Sequence, residues 1–424
     1  MLKPDIYHPA SVEEFKRKAL YWASAFDSAS YFDSNNFTDP YSAFDVLIAA
    51  GASKSLTCNS GAAFDQLGEF LKNSNTFIPG FFAYDLKNEV ESLQSKNPDQ
   101  LHFPDLYFFE PLHLILIKGN EVRVYSPDAK KILAEIEKTE FRQINIGFEG
   151  KIESRFTRAE YIDVVNSIKE HIHRGDIYEA NLCQEFYSEN SILNPVDAFL
   201  ELNRISPTPF SNFFKMGQNY ILSATPERFL SRRGNKLISQ PIKGTARRQK
   251  DEHLDELAKM ELRKNEKELS ENVMIVDLVR NDLTRSAVPG TVKVEELFGI
   301  YSFSQVHQMI STVVCEIDER LGNAEIIKNT FPMGSMTGAP KISAMNLIEK
   351  YEKTRRGVYS GTAGYFSPEG DFDFNVVIRS ILYNSENGYL SFQVGSAITS
   401  EADAEKEYEE CLLKASAIFQ LLVG

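Results

Sequence analysis

Two pairs of glutamates set at helical spacing constrain this chain most. Glu268 and Glu271 stand three apart in Lys267-Glu268-Leu269-Ser270-Glu271-Asn272-Val273-Met274-Ile275-Val276-Asp277, and Glu407 and Glu410 stand three apart in Glu405-Lys406-Glu407-Tyr408-Glu409-Glu410-Cys411-Leu412-Leu413-Lys414. Both windows read as helices, so each pair projects from one helical face. Taken singly, such a pair is a solvated face whose like charges repel by about 0.2–0.5 kcal/mol. If the two faces meet in the fold, the repulsion is larger and calls for a cation. Mg²⁺ suits that setting, because it holds one or two carboxylates, keeps several waters and leaves room for a substrate carboxylate.

Lys243 is the second feature. It lies in Gln240-Pro241-Ile242-Lys243-Gly244-Thr245-Ala246-Arg247-Arg248, bracketed by proline and glycine so that its amine is fixed in place. Beside apolar Ile242, burial would disfavour the charged form and free the amine as nucleophile or base. The plain alternative is a surface lysine in a turn. Between the glutamate pairs, Phe331-Pro332-Met333-Gly334-Ser335-Met336-Thr337-Gly338-Ala339-Pro340-Lys341 precedes an apolar run. It reads as a helix start with Pro340 at the first helical position and free amides that bind anions. The spacing of a nucleotide P-loop is absent.

The remaining chain reads as mixed helix and strand. Asn75–Ala83 reads as a strand leaving a turn, and His113–Lys118 with Glu121–Ser126 reads as a hairpin, Leu101–Pro111 being a proline-bounded connection. Thr157 and Glu160 predict a capping box opening a helix that Gly175 ends. Tyr178–Ser188, Tyr220–Leu230 and Lys236–Pro241 read as strands, Lys250–Val279 as helix, and Asp371–Tyr383 with Tyr389–Thr399 as paired strands. No internal repeat or low-complexity tail is present.

These motifs together resemble the chorismate-utilising enzymes, a family that includes component I of anthranilate and aminodeoxychorismate synthases, isochorismate synthase and salicylate synthase. The resemblance is dense from about Arg155 onward. It runs through Gly175-Asp176-Ile177-Tyr178-Glu179-Ala180-Asn181-Leu182, Ser223-Ala224-Thr225-Pro226-Glu227-Arg228-Phe229, the Lys243 run, Glu271-Asn272 to Arg280-Asn281-Asp282-Leu283, Gly334–Lys341, Tyr359-Ser360-Gly361, Val377-Ile378-Arg379 and Tyr408-Glu409-Glu410. It implies an α+β fold: an α/β sandwich of two orthogonally packed antiparallel sheets with outer helices. Residues 1–150 would contribute strands to the shared sandwich, and 151–424 would form the chorismate-binding catalytic region.

The resemblance also implies roles. Glu271 and Glu410 would bind Mg²⁺ directly, with Glu268 and Glu407 on its waters. Lys243 would be the nucleophile toward ring C2, Glu227 the general acid for the departing hydroxyl, and Arg379 and Tyr359 the holders of the substrate carboxylates. Ser335, the Gly395 amide and Lys414 would complete the cradle. A lysine at position 243 is similar to the aminodeoxychorismate-forming branch, where the anthranilate and isochorismate branches carry alanine; anthranilate formation is the alternative. Water-activating relatives place a lysine where Glu179 stands, so the acidic residue argues against isochorismate or salicylate formation. Gln308 stands where relatives often carry histidine, leaving open whether neighbouring His307 substitutes. Ser396 and Ala397 replace family glycines. Tyr31-Phe32-Asp33-Ser34-Asn35 only loosely resembles the tryptophan-sensing strand of anthranilate synthases.

Composition sets limits on partners. A formal charge of −14 argues against nucleic acid or an anionic membrane. Chorismate is a dianion, so local positive charge must outweigh the global field: a metal, Lys243, Arg379, Lys414 and the helix start near Ala339. Cys58, Cys183, Cys315 and Cys411 form no C-x-x-C, and no leader or membrane span is read, which together point to a cytoplasmic location. The seven histidines show no metal-ligand spacing. No G-x-C-x-G elbow is present, so ammonia is expected from a separate glutamine amidotransferase subunit. The length to Gly424 leaves no room for a pyridoxal-phosphate lyase, so 4-aminobenzoate would need another enzyme.

Overall fold

Two long strands join the halves of the molecule. The computed structural model describes residues 2–141, 143–303 and 306–424. Val46–Cys58 and Leu106–Lys118 pair along their whole length, with a register shift between Ala52 and Lys54. At that shift Gly51 takes φ +69° and Pro111 faces Ala52. Glycine relieves the left-handed backbone, and proline is tolerated where a bulge interrupts the ladder. Strands that bend at a bulge and pass from one sheet to another make the corner of an orthogonal sandwich.

On one side of the corner the ladder continues through Ser28–Asp33, Ser211–Met216, Asn219–Ser223, Ser380–Asn384, Tyr389–Ile398 and Glu179–Ser188. On the other side it runs through Ile78–Phe82, Thr362–Phe366, Phe372–Asn375, Arg228–Arg233, Lys236–Gln240 and Val306–Glu316. Every strand pair described is antiparallel. The architecture is the α+β sandwich expected from the sequence.

Side-chain alternation accounts for two cores. Along Val46–Ala50, Leu47 and Ala49 enter the core between the sheets. Val46, Ile48 and Ala50 enter a second core under helices Val12–Ser24, Arg158–His173, Pro195–Ile205 and Ala404–Val423. All five are fully buried. A strand covered on both faces needs apolar residues at every position, which is what this run supplies.

Local signals and structure agree closely at the helix starting with Arg158. Thr157 accepts from the Glu160 amide, the Glu160 carboxylate accepts from the Thr157 amide, and the helix ends at His173. Four readings require correction. Leu101–Pro111 is not all connection, because strand Leu106–Lys118 runs through Pro111 at the bulge. Lys250–Val279 is two helices, Glu252–Lys264 and Glu266–Thr284, separated at Asn265, whose side chain caps the second by accepting from the Glu268 amide. Tyr220–Leu230 is two strands with residues 224–227 between them, and Asp371–Tyr383 is two strands with residues 376–379 between them. Those last two interruptions face each other, the Ala224 amide donating to the Arg379 carbonyl and the Val376 amide to the Glu227 carbonyl. Pro226 has no amide for a ladder, and Arg379 sits at φ +51°. The break in the sheet is where the site lies.

Candidate active site

A cavity of about 1030 Å³ opens over the facing interruptions. Lys243, Glu227, Ser335, Tyr359, Arg379, Gly395, Lys414, Glu268, Glu271, Glu407 and Glu410 all line it. The two glutamate pairs therefore do converge, one from helix Glu266–Thr284 and one from helix Ala404–Val423.

At the sheet break, Ser335 Oγ donates to Glu227 Oε1 at 2.6 Å. Burial pushes the Glu227 carboxyl up to about 7, against the opposing pull of Ser335, Lys243 and Arg379. A carboxyl so placed stays half-protonated at neutral pH and can donate a proton to a leaving group. The Arg379 guanidinium makes no hydrogen bond to protein among the described residues. Burial brings it down to about 10, Glu227 opposing, so it remains charged at neutral pH and free to bind an anion. Tyr359 Oη lies 3.8 Å from Cys183 Sγ. Gly395 has no side chain for a steric reason: a Cβ there would lie 2.7 Å from Cys183 Sγ. Its carbonyl accepts from Lys414 Nζ at 2.9 Å, so this chain uses its carbonyl to hold a lysine that also reaches Glu410 at 2.7 Å.

Lys243 is the sharpest departure from expectation. Its ammonium donates to Glu179 Oε1 at 2.9 Å, with Glu179 1% exposed. Burial alone would lower its pKa, but Glu179, Glu271 and Glu227 outweigh burial and raise it. The sequence expectation of a neutral amine is therefore corrected: three carboxylates hold Lys243 charged, and nucleophilicity requires a proton acceptor.

The carboxylate end of the cavity carries its own cation. Lys267 Nζ is 3.0 Å from Glu407 Oε1 and 3.7 Å from Glu271 Oε1, and Ser396 Oγ donates to the other Glu407 oxygen. Ser396 thus orients Glu407. Burial pushes Glu271 up to about 7, and its buried Oε1 has no hydrogen-bond partner. Burial and Glu410 raise Glu268, whereas Lys414 holds Glu410 down despite its burial. A desolvated carboxylate oxygen with no hydrogen bond, beside other carboxylates and with only the Lys267 ammonium 3.7 Å away, fits a hard cation. Among the described residues no group of three or more histidine, cysteine or acidic side chains is assembled to hold a metal. A metal here would take one or two carboxylates and retain waters.

Two further expectations are resolved. The helix starting at Lys341 does not present its amides to the cavity; Lys341 Nζ instead donates to Asp282 at 2.7 Å and to the Pro332 carbonyl at 2.9 Å, and Pro340 is the N-cap, not the first helical residue. Strand alternation decides between Gln308 and His307. Gln308 lines the cavity, while His307 is fully buried on the other face, 2.9 Å from both Asp255 Oδ1 and Ser302 Oγ. His307→Leu is expected to lower stability by about 0.5–1.5 kcal/mol, since it removes one buried hydrogen bond from Asp255, which keeps Arg248 and the Gln249 amide, and to leave turnover unchanged. Denaturant unfolding beside steady-state kinetics checks this.

Sequence reasoning missed the buried pair Arg356–Glu352. Arg356 donates to the Met336 and Asn181 carbonyls at 2.7 Å each and to Glu352, which accepts from the Cys183 amide at 2.8 Å. The pair ties the Ser335 segment to strand Glu179–Ser188. Glu352 and Arg356 lie four apart, so helical spacing was the available signal, but Arg356 lies beyond the helix end at Tyr351.

Residues 17–420 match the family model for chorismate binding enzyme. Aminodeoxychorismate synthase component 1 of Escherichia coli is 34% identical over 347 residues, covering 81% of this chain and 76% of that protein. Anthranilate synthase component 1 of Aquifex aeolicus is 31% identical over 369 residues, covering 81% and 74%. Among solved structures, anthranilate synthase component I of Streptococcus pneumoniae superposes with TM-score 0.78 at 23% identity over 90% of this chain and 93% of that one. The menaquinone-specific isochorismate synthase of Escherichia coli gives TM-score 0.78 at 18% identity over 99% and 95%. With the family match spanning nearly the whole chain and every expected site residue around one cavity, this chain belongs to the chorismate-binding enzymes.

Proposed function

We propose that the chain aminates chorismate at C4 to give 4-amino-4-deoxychorismate. The observation that carries this reading is Lys243, buried in the same cavity as Glu227 and Arg379. Arg379 and Tyr359 hold the substrate carboxylates, with Lys414 adding positive charge. Lys243, once deprotonated, adds through Nζ to ring C2; both conjugated ring double bonds shift toward C4 and the C4–O bond breaks, and the same shift runs back when ammonia arrives. Glu227 gives its proton to the departing hydroxyl, which leaves as water. Ammonia then forms the C4–N bond, the C2–N bond to Lys243 breaks, and the new C4 ammonium returns a proton to Glu227. Mg²⁺ held by Glu271 and Glu410, with Glu268 and Glu407 toward its waters, would supply Lewis-acid charge to the ring carboxylate.

Ammonia would come from a separate glutamine amidotransferase, in keeping with the component 1 naming of the relatives. Residues 1–150 form strands of the same sandwich in this reading, not an independent module. Among the described residues no helix is long and apolar enough to cross a membrane. Anthranilate formation is the second reading, favoured by relatives of that name at 31–33% identity over the same 81% of the chain.

Product analysis after incubation with chorismate, Mg²⁺ and ammonium separates the two. The expected product is aminodeoxychorismate, converted to 4-aminobenzoate only when a lyase is added; anthranilate would overturn the proposal. The acid role of Glu227 adds a pH prediction. Because the group must be protonated, kcat/KM is expected to stay level on the acid side and fall tenfold per unit above about 7. Glu227→Gln should abolish that limb of the profile.

A further inference from the structure

Lys243 cannot add to a ring carbon while it carries three protons, and the groups around it all bear on where one proton goes. Facing it are Glu179 from strand Glu179–Ser188, Glu227 at the sheet break, Glu268 and Glu271 from helix Glu266–Thr284, and Glu410 and Lys414 from helix Ala404–Val423. Of these, the structure gives only Glu179 a hydrogen bond to its ammonium, at 2.9 Å. Glu227 is bonded to Ser335, and Glu410 to Lys414. The second Glu179 oxygen is buried without a partner. Nothing else in the proposed mechanism uses this acid.

We propose that Glu179 is the proton acceptor and return donor for Lys243, a role that rests on the covalent reading above. One ammonium proton passes from Lys243 Nζ to Glu179 Oε1 over the existing hydrogen bond. The neutral amine forms the C2–N bond, leaving a secondary ammonium on C2. When ammonia bonds to C4, the C2–N pair returns to nitrogen, Lys243 departs as the neutral amine, and Glu179 gives its proton back. No proton is lost to solvent in the cycle: the positive charge of the adduct ammonium is matched by Glu227, which is a carboxylate from the departure of water until the new C4 ammonium returns its proton. The orphaned oxygen fits this task, since a carboxylate with one free lone-pair set gives up less hydrogen bonding on protonation.

The experiment is rapid-mixing mass spectrometry of adduct formation with chorismate and Mg²⁺, ammonia omitted, from pH 5 to pH 6.5, below the limb on which Glu227 loses its proton. Wild type is expected to form adduct at a rate that varies little with pH, because the proton moves within the pair. Glu179→Gln keeps the shape and a hydrogen-bond acceptor but cannot take the proton. Its rate at pH 6 should fall by about 10²–10⁴-fold, the range of a general base, and rise tenfold per pH unit as Lys243 ionises on its own. Glu179→Asp, which retains a carboxylate, should keep the flat profile. An unchanged rate in Glu179→Gln, or a loss uniform across pH as a structural defect would give, overturns the role of Glu179 alone. Absence of adduct in the wild type overturns the covalent step and this role with it.

Discussion

Lys243→Ala is expected to abolish the covalent adduct and to reduce aminodeoxychorismate formation by at least about 10³-fold, within the range seen when an acting nucleophile is removed. Chorismate and Mg²⁺ should still bind, because Arg379, Tyr359 and the glutamates are untouched. The substitution also leaves buried Glu179 without its cation, and breaking a buried pair by removing one partner costs about 3–5 kcal/mol. Lys243→Met keeps more of the packing, and Lys243→Arg cannot serve as nucleophile because a guanidinium is not deprotonated in proteins. Space freed at C2 would admit ammonia there, giving traces of the anthranilate-branch intermediate. Mass spectrometry of the trapped protein and product chromatography read both effects. Wild-type output from a correctly folded Lys243→Ala would overturn the nucleophile role of Lys243.

Glu271→Gln is the second large effect. Loss of a direct ligand should weaken Mg²⁺ by more than the roughly 10–100-fold that loss of a ligand's supporting partner costs, and turnover at limiting Mg²⁺ should vanish. Stability should move the other way. Glu271 is raised to about 7 from an unfolded value near 4.3, so in the metal-free protein its favourable contribution is complete below the unfolded value. That contribution is lost as pH rises through about 7. Glu271→Gln should therefore be more stable than wild type at pH 8 without metal, and the advantage should disappear at pH 4. Glu410 behaves oppositely, because Lys414 holds its pKa down: its contribution is present above the unfolded value and lost as pH falls. Glu410→Gln should lose Mg²⁺ affinity without gaining stability. Calorimetric Mg²⁺ titration and thermal unfolding at the two pH values test the pair. Unaltered Mg²⁺ affinity in both variants would remove the metal assignment.

The contrast between those two glutamates shows what could be read without coordinates. Side chains three apart on a helix must share a face, so the pairing of Glu268 with Glu271 and of Glu407 with Glu410 followed from spacing. The capping box at Thr157 and Glu160 is likewise a local bond between near neighbours, and it formed as read. Motif order sufficed to name the residues around the cavity, since a shared ancestry of motifs carries the tertiary arrangement with it.

What the chain alone withheld were properties set by groups distant in sequence. Lys243 and Glu179 are 64 positions apart, and only folding makes them a pair; burial beside Ile242 alone points to the wrong charge state, because the neighbours in space of Lys243, on strand Ile242–Arg247, are carboxylates. The strand ending at Asn375 reads as continuous with its successor because Val376-Val377-Ile378 carries apolar residues through the break, whereas after Ser223 Pro226 is the local sign of the interruption. The orphaned oxygen of Glu179 depends on what fails to lie nearby, which no local pattern records. Sequence determined which side chains surround the cavity; tertiary structure decided their protonation and partners, because burial and charge act through space and not along the chain.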